Sequence, residues 1–333
     1  LAREVRMIER LGVDIQCNQT LGKDFTLESL KADGYEALFL AVGAPDGLQL
    51  GLSGEDAEGV FEAMTFLREY NIRGSVPVGK HVVIIGGGNA AIDAARTAAR
   101  LDAETVTVLY RRTREQMPAY EEEIDEAETE GVKLQLLTSP EEIVVEEGRV
   151  VGIRCKPMEL GAFDRSGRRR PVVGEEDDFI VPCDQVIAAI GQSVDLPGIT
   201  GEVSLNVQRN GYVATEALTK QTSEDWIFAG GDVSTGPSSV IEAVADGEKA
   251  AAGIDQFLTG KDNAFWREEK KNDTAFDPDA EPVDFDRERQ PLIPVERRQN
   301  NFDEVEQPWD EATAIRQAKR CLRCDYREEV HTW

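Results

Sequence analysis

Short apolar runs alternate with amphipathic segments between residues 80 and 138 of the chain. The run HVVIIG predicts a buried strand, AAIDAARTAARL predicts a helix, and TVTVLY predicts a second strand. A helix over AYEEEIDEAETEG and a strand over VKLQLLT follow. Two βαβ units in succession predict an α/β fold with a parallel sheet and right-handed crossovers.

Apolar runs also occur on both sides of this block. A helical pattern over residues 5–11 precedes the strand-like VDIQC and the run EALFLAVGA. Apolar and polar residues alternate over residues 141–183, which predicts antiparallel strands that pack against the parallel sheet. DQVIAAIG and WIFAGGD predict two more strands, and a helix should run from Ser239 to Leu258.

The composition excludes several classes of partner. The net charge of −27 argues against nucleic-acid binding, which needs basic residues to neutralise phosphates, and against binding to an anionic membrane. Membrane insertion is not expected, because no apolar run approaches the ~20 residues that a spanning helix needs. The five cysteines are an odd number without a disulfide framework, so we expect a cytoplasmic protein. Because the chain starts at Leu1, we also expect it to be a fragment.

The most specific motif is the glycine loop after HVVIIG. Residues 86–91 read GGGNAA and satisfy G-x-G-x-x-A between a strand and a helix. Gly86 allows the tight turn, Gly88 lets the backbone approach a pyrophosphate, and Ala91 permits close helix packing. The motif therefore predicts a dinucleotide site at this helix start, and a tight turn without a ligand is the alternative.

Basic residues follow the second strand of this unit. An Asp or Glu at this position would bind the ribose of NAD, but the chain has Arg111 and Arg112. Guanidinium groups bind phosphate bidentately, so the sequence favours NADP(H) over NAD(H). A solvated basic turn is the alternative.

Glycines also follow other predicted strands, where a cofactor can come close to the backbone. They are Gly43, Gly191 and Gly231. Asp232 comes directly after the double glycine and could accept hydrogen bonds from ribityl or ribose hydroxyls. The following helix begins near Ser239 and could direct its N-terminus at a flavin.

Together these motifs resemble the NADPH-dependent glutamate synthase small (beta) subunit family. Its relatives include the large subunit of NADH-dependent ferredoxin:NADP oxidoreductase and part of dihydropyrimidine dehydrogenase. The resemblance covers residues 1–260 and is carried by the four segments GGGNAAIDAARTA, VLYRRTREQMPAYEEEIDEAETEGV, AAIGQ and IFAGGDVSTGPSSVIEAVADGEKAA.

The resemblance implies two Rossmann-like dinucleotide-binding domains, with an NAD(P)H domain inserted into an FAD domain. Residues 1–75 and 189–260 would form the FAD domain, residues 76–188 the NAD(P)H domain, and residues 261–333 an arm ending in a helix. The family's earlier glycine loop for FAD does not occur after Leu1, so FAD is expected in the complete protein.

The resemblance also implies roles for individual residues. Those assigned to the nicotinamide dinucleotide are Gly86, Gly88, Asn89, Ala90 and Ala91 at the pyrophosphate, and Arg111 and Arg112 at the 2′-phosphate. Those assigned to FAD and its surroundings are Gly231, Asp232, Ser239 and Val240, with Gly43 and Gly191 at strand ends near the cofactors.

A pair of cysteines lies near the end of the chain. Cys321 and Cys324 form C-x-x-C within EATAIRQAKRCLRCD, which resembles a cluster-binding segment of the family's iron–sulfur domains. Two thiolates do not complete a site. The pair is therefore half of a [4Fe–4S] site completed elsewhere, a pair of reduced thiols without such a role, or a zinc or redox pair. Cys17, Cys155 and Cys183 lie in strand-like contexts and are expected to be buried thiols.

No catalytic side chain is identified by the sequence. His81 and His331 are the two histidines, which excludes a histidine-based triad, and hydride chemistry resides in the cofactors. The favoured function is a flavoprotein oxidoreductase module that transfers hydride between NADP(H) and FAD and passes electrons to iron–sulfur centres or a partner subunit. The alternative is a non-catalytic nucleotide-binding scaffold.

Overall fold

The computed structural model describes residues 2–163, 167–263 and 286–318. They form two compact units. The first unit consists of residues 2–46 and 191–263, and the second of residues 47–163, 167–190 and 286–318. Cys321 and Cys324 lie outside the described residues.

The helices and strands are numbered in chain order within these residues. The α-helices are α1 (Ala2–Glu9), α2 (Leu27–Ala32), α3 (Ala63–Arg73), α4 (Asn89–Arg100), α5 (Glu121–Thr129), α6 (Leu196–Thr200), α7 (Asp232–Thr235), α8 (Val240–Thr259) and α9 (Glu311–Ala318). The strands are β1 (Leu38–Leu40), β2 (Asp46–Gly47), β3 (Val60–Glu62), β4 (His81–Ile85), β5 (Thr105–Leu109), β6 (Lys133–Gln135), β7 (Thr138–Glu146), β8 (Arg149–Phe163), β9 (Arg169–Val173), β10 (Phe179–Pro182), β11 (Gln185–Ala188), β12 (Gln192–Ser193) and β13 (Ile227–Ala229).

A five-stranded parallel sheet forms the centre of the second unit. Its strand order is β3-β11-β4-β5-β6. Helix α4 connects β4 to β5, and α5 connects β5 to β6. This confirms the predicted parallel sheet built from two successive βαβ units.

Strand β4 is buried on both faces of this sheet. Val82 and Ile84 pack into a core with α3, α4 and α5. Val83 and Ile85 pack on the other face against residues of the antiparallel strands, including Ile153. That antiparallel sheet has the order β10-β8-β7, with β9 also paired to β8. The predicted layer of antiparallel strands is therefore confirmed.

The first unit is smaller and has less regular structure. Strands β1 and β13 form a two-stranded parallel sheet, with Leu38 opposite Ile227. Leu40 and Val233 belong to one small core, and Leu27 belongs to a second core below the same sheet. None of the helices in the described ranges has both the length and the apolar character needed to cross a membrane.

The predicted strand over VDIQC does not form. Residues 13–17 have no regular structure and are exposed, and Cys17 is an exposed thiol. No strand of the described residues pairs with this segment, and an isolated strand cannot satisfy its backbone hydrogen bonds. The expectation of a buried Cys17 is therefore wrong, whereas Cys155 and Cys183 are buried as expected.

The boundaries of the units differ from those drawn on the sequence. Residues 47–75 belong to the second unit, although the sequence placed them with the first. The reason is long-range pairing, since β3 joins the parallel sheet with Val60 opposite Val186. Helix α3 begins at Ala63, where the Glu62 carboxylate accepts hydrogen bonds from the N–H groups of Met64 and Thr65.

The arm after residue 285 packs on the helical face of the second unit. Arg298 is buried and pairs with Glu126 and, at 3.2 Å, with Glu130. Phe302 stacks on Tyr70 with ring centroids 4.3 Å apart. Residues 286–318 are therefore part of the second unit rather than a separate arm.

Glu130 is the centre of this charge network. It accepts hydrogen bonds from Arg96 at 2.9 Å and from Arg100 at 2.7 Å, in addition to the pair with Arg298. Burial alone would raise the pKa of Glu130, but the hydrogen bonds and charges of Arg100 and Arg96 outweigh it and lower the pKa from 4.5 to about 2. The carboxylate therefore stabilises the fold above about pH 4.5, and this contribution is lost as the pH falls toward 2.

We predict that Glu130→Gln lowers the free energy of unfolding by about 3 kcal/mol at pH 7, because Arg100 loses its carboxylate partner and Arg96 and Arg298 each lose one of theirs. The difference from the unmodified chain should stay constant between about pH 7 and 5 and shrink below pH 4.5. Urea unfolding at several pH values measures it.

Glu122→Gln is the matched control. Glu122 lies on the same helix, is exposed and has no ion pair within the described residues. Its substitution should therefore change the free energy of unfolding by no more than about 0.5 kcal/mol. An equal effect of the two substitutions would contradict the role given to Glu130.

Candidate functional site

The glycine loop lies at the carboxyl end of β4, the central strand of the second unit. Gly86 has φ +146°, in a region that side chains disfavour, and an added Cβ would clash with the carbonyl oxygen of Ala189. The backbone of β4 and the chain after β11 thus approach closely at this turn. The tight-turn role predicted for Gly86 agrees with this geometry.

Gly87 packs under an aromatic ring that sequence reasoning did not single out. An added Cβ at Gly87 would lie 2.6 Å from ring carbons of Tyr110. The ring is held because the Tyr110 hydroxyl donates to the carbonyl oxygen of Gln116 at 2.7 Å, and Ala119 N–H donates to the carbonyl of Gly87 at 3.1 Å. The signal in the sequence was the aromatic residue that ends TVTVLY.

Gly88 forms the open side of the loop. It is the N-cap of α4, with φ −90°, and the nearest atom to an added Cβ is Cγ of Pro118 at 3.9 Å. No described side chain caps this helix, so the N–H groups of Asn89 and Ala90 remain for an anion, and the helix dipole favours negative charge there. These features fit a pyrophosphate.

The residues after Gly88 have different roles in this geometry. Ala91 is fully buried in the core between α4 and the sheet. The side-chain oxygen of Asn89 accepts a hydrogen bond from Tyr120 N–H at 3.1 Å, which ties the loop to the start of α5. Asn89 and Ala90 can therefore offer a ligand their backbone N–H groups, whereas Ala91 contributes by packing.

The structure separates the arginines that follow β5. Arg112 is 7% exposed, and its Nε donates to the carbonyl oxygen of Arg169 at 2.9 Å. Arg114 pairs with Asp125 on α5. Arg111 is exposed and has no ion pair or hydrogen bond to a side chain among the described residues. Of the two residues assigned to the 2′-phosphate, Arg111 is thus accessible, and Arg112 supports the fold.

The second loop, Gly230-Gly231-Asp232, follows β13 in the first unit. Gly231 has φ +69°, and its N–H donates to Asp246 Oδ2 at 3.1 Å. Asp246 is buried and forms an ion pair with Lys220 at 2.6 Å. A Cβ on Gly230 would lie 2.9 Å from Asp246 and from the ring of Phe39. The buried ion pair of Asp246 and Lys220 therefore holds this loop through the N–H of Gly231. Neither partner of the pair was identified from the sequence.

Asp232 and the start of α8 lie next along the chain. Asp232 Oδ1 accepts from Ser238 N–H at 3.2 Å. Ser239 forms a capping box with Glu242, so its hydroxyl is engaged with the helix backbone. Val240 and Ile241 are 78% and 76% exposed, and Val244 is 56% exposed. The start of α8 therefore presents an apolar surface.

The other predicted glycines lie at strand ends. Gly43 follows β1 with φ +73°, and nothing lies within 4 Å of the position of an added Cβ. Gly191 follows β11 with φ +145°. Both backbones adopt conformations that favour glycine.

The cysteines of the described chain do not form a reactive site. Burial raises the pKa of the Cys155 and Cys183 thiols to about 12. The described residues contain no cluster of three or more His, Cys, Asp or Glu side chains placed to hold a metal ion. The proposed iron–sulfur ligands Cys321 and Cys324 lie outside them.

The family model described as pyridine nucleotide-disulphide oxidoreductase matches residues 3–247. The chain is 39% identical over 337 residues to the NADP(+)-dependent formate dehydrogenase subunit beta of Moorella thermoacetica, covering 97% of this chain and 47% of that protein. It is 36% identical over 273 residues to the glutamate synthase [NADPH] small chain of Escherichia coli, covering 78% of this chain and 58% of that protein. The chain thus spans about half the length of these relatives.

A solved structure shows the same fold. Mycobacterium tuberculosis FprA in complex with NADPH matches with a TM-score of 0.61 at 21% identity, over 72% of this chain and 67% of that one. The match confirms the predicted fold class of Rossmann-like domains. The similarity to the glutamate synthase small chain confirms the resemblance seen in the sequence.

We predict that Asp246→Asn destabilises the first unit by about 3 kcal/mol, because it leaves the Lys220 charge buried without its partner. The double variant Asp246→Leu with Lys220→Met should lose less stability than Asp246→Asn alone, since both buried charges are removed together. Urea unfolding of the three variants measures this coupling.

Lys249→Met is the control, because Lys249 is 3.9 Å from Asp246 and 43% exposed. It should change the stability by less than about 0.5 kcal/mol. A double variant that is no more stable than Asp246→Asn would count against the buried pair.

Proposed function

Since the chain belongs to the pyridine nucleotide-disulphide oxidoreductase family, we propose that it is an NAD(P)H-dependent oxidoreductase module that works with NADP(H) and FAD. The observation that carries the proposal is the uncapped start of α4, where Gly88 leaves open space beside free N–H groups. The bound cofactors supply the hydride chemistry, and the protein supplies their binding and orientation.

In this proposal the second unit binds the nicotinamide dinucleotide. The pyrophosphate accepts hydrogen bonds from the first-turn N–H groups of α4 at Asn89 and Ala90, and Gly88 allows it to approach the backbone. Gly86 and Ala91 hold the loop and helix close to the sheet. Arg111 donates to the 2′-phosphate and thereby favours NADP(H) over NAD(H).

The first unit contributes to the FAD site. Gly231 and Asp232 lie at the end of β13, and the Asp232 carboxylate accepts hydrogen bonds from cofactor hydroxyls. Val240 is exposed and lies next to the Ser239 cap, and this apolar surface supports its assignment to a position beside the isoalloxazine ring of FAD. Gly43 and Gly191 keep two strand ends free of side chains.

Electrons leave the module through a partner subunit in this proposal. The relatives described above are a formate dehydrogenase subunit beta and a glutamate synthase small chain, and both names denote parts of larger enzymes. Iron–sulfur centres are suited to this transfer, and Cys321 and Cys324 are our proposed ligands for one of them. These oxidoreductase relatives favour the catalytic function over the non-catalytic scaffold.

Calorimetric titration with NADPH tests the proposal. The unmodified chain should bind NADPH, and Gly88→Ala should bind it at least about tenfold more weakly, because the methyl group occupies the space of the pyrophosphate and costs it charged hydrogen bonds. The fold should survive, since the added Cβ meets nothing closer than 3.9 Å and φ is −90°.

Gly247→Ala is the matched control, because it adds the same methyl group at a helical glycine with nothing within 4 Å. It should leave the NADPH affinity unchanged. A chain that binds neither NADPH nor NADH would overturn the proposed function.

Nucleotide specificity gives a second test. Arg111→Ala should weaken NADPH binding by about 10- to 100-fold, the equivalent of one charge-assisted phosphate contact, and change NADH binding little. Arg112→Ala should instead lower the melting temperature, because Arg112 bonds to the backbone at Arg169. Equal losses of NADPH and NADH affinity in Arg111→Ala would remove the 2′-phosphate assignment.

A further inference from the structure

The β8–β9 hairpin is joined to the loop that follows β5. Leu137 N–H donates to the carbonyl of Arg112 at 3.1 Å, and Met158 N–H in β8 donates to the carbonyl of Leu137 at 2.7 Å. Arg112 Nε donates in turn to the carbonyl of Arg169 at the start of β9. Three hydrogen bonds therefore fix the hairpin beside the carboxyl ends of β5 and β6.

The last of these bonds links the backbone next to Arg170 to the side chain of Arg112, the chain neighbour of Arg111. The Arg169 carbonyl belongs to the peptide that leads into Arg170 and lies 2.9 Å from Arg112 Nε. Standard peptide dimensions put the Arg170 Cα within roughly 6 Å of that nitrogen, and Arg111 is the direct chain neighbour of Arg112. The Arg112 side chain therefore bridges the segment that carries Arg111 and the segment that carries Arg170.

Neither Arg111 nor Arg170 has its charge balanced by a carboxylate of the described residues. Arg111 and Arg170 are exposed, and in the described ranges neither has an ion pair or a side-chain hydrogen bond. Their neighbours are engaged, since Arg169 donates to the carbonyl of Gly161 and Arg114 pairs with Asp125. Although the chain has 64 acidic and 37 basic residues, these two guanidinium groups remain available to an anion.

We propose that Arg170 is a second specificity-determining contact for the 2′-phosphate of NADP(H), opposite Arg111. The inference rests on the proposed function and adds a residue from a different part of the chain. A phosphate dianion offers several acceptor oxygens, so two guanidinium groups can bind it from two sides. NADH has a hydroxyl at this position and gains nothing from the second arginine.

Calorimetry at fixed ionic strength tests the inference with three probes: NADPH, NADH and 2′,5′-ADP, which carries the 2′-phosphate without nicotinamide. Arg170→Ala should weaken the binding of NADPH and of 2′,5′-ADP by about tenfold, and the binding of NADH by less than about twofold. Arg170→Lys should recover part of the loss, because a lysine keeps the charge but not the bidentate geometry.

Arg209→Ala is the control for net charge. Arg209 is an exposed arginine of the first unit without a side-chain partner among the described residues, so its removal changes the charge equally and should leave all three affinities unchanged. Melting temperatures establish that each variant is folded.

The outcomes separate this inference from the proposed function. If NADPH binds and Arg111→Ala reduces its affinity while Arg170→Ala does not, the inference is overturned and the proposed function stands. Equal losses for NADPH and NADH in Arg170→Ala also overturn it. An unmodified chain that binds none of the three probes overturns both.

Discussion

Burial of β4 on both faces is the constraint on which the second unit depends. Alternate side chains of this strand enter two different cores, with helices on one side and antiparallel strands on the other. Because β4 is paired in parallel with β11 and β5, the chain cannot return through a hairpin. It leaves the carboxyl end of β4 through Gly86 and crosses over along α4. The open helix start at Gly88 and the loop carrying Arg111 therefore meet at the same edge of the sheet.

The two glycine loops satisfy their backbone groups in opposite ways. In the first unit the N–H of Gly231 is bonded to Asp246, whose charge is balanced by Lys220, so this N–H group is already satisfied within the protein. In the second unit no side chain of the described ranges caps the start of α4. Unpaired N–H groups at a helix start are satisfied by water or by an anion, and this difference identifies the Gly88 loop as the better-supported anion site.

Arginine pairing organises the surface of this acidic protein. Arg96, Arg100 and Arg298 all converge on Glu130, and they fix the arm that follows residue 285 to the helices. Arg112 bonds to backbone and Arg114 to α5. Within the described ranges Arg111 and Arg170 have no such side-chain partner, so their guanidinium groups keep their capacity to bind phosphate.

The sequence by itself determined the parallel sheet, the antiparallel layer, the glycine loop and the family, because strand and helix periodicities and the G-x-G-x-x-A spacing are local properties of the chain. It could not separate Arg111 from Arg112, since the burial of Arg112 depends on a carbonyl 57 residues away in the chain. The place of residues 47–75, the exposure of Cys17 and the pair of Asp246 with Lys220 were likewise decided by the tertiary structure. Each depends on whether a partner distant in sequence is brought into contact, and only folding decides that.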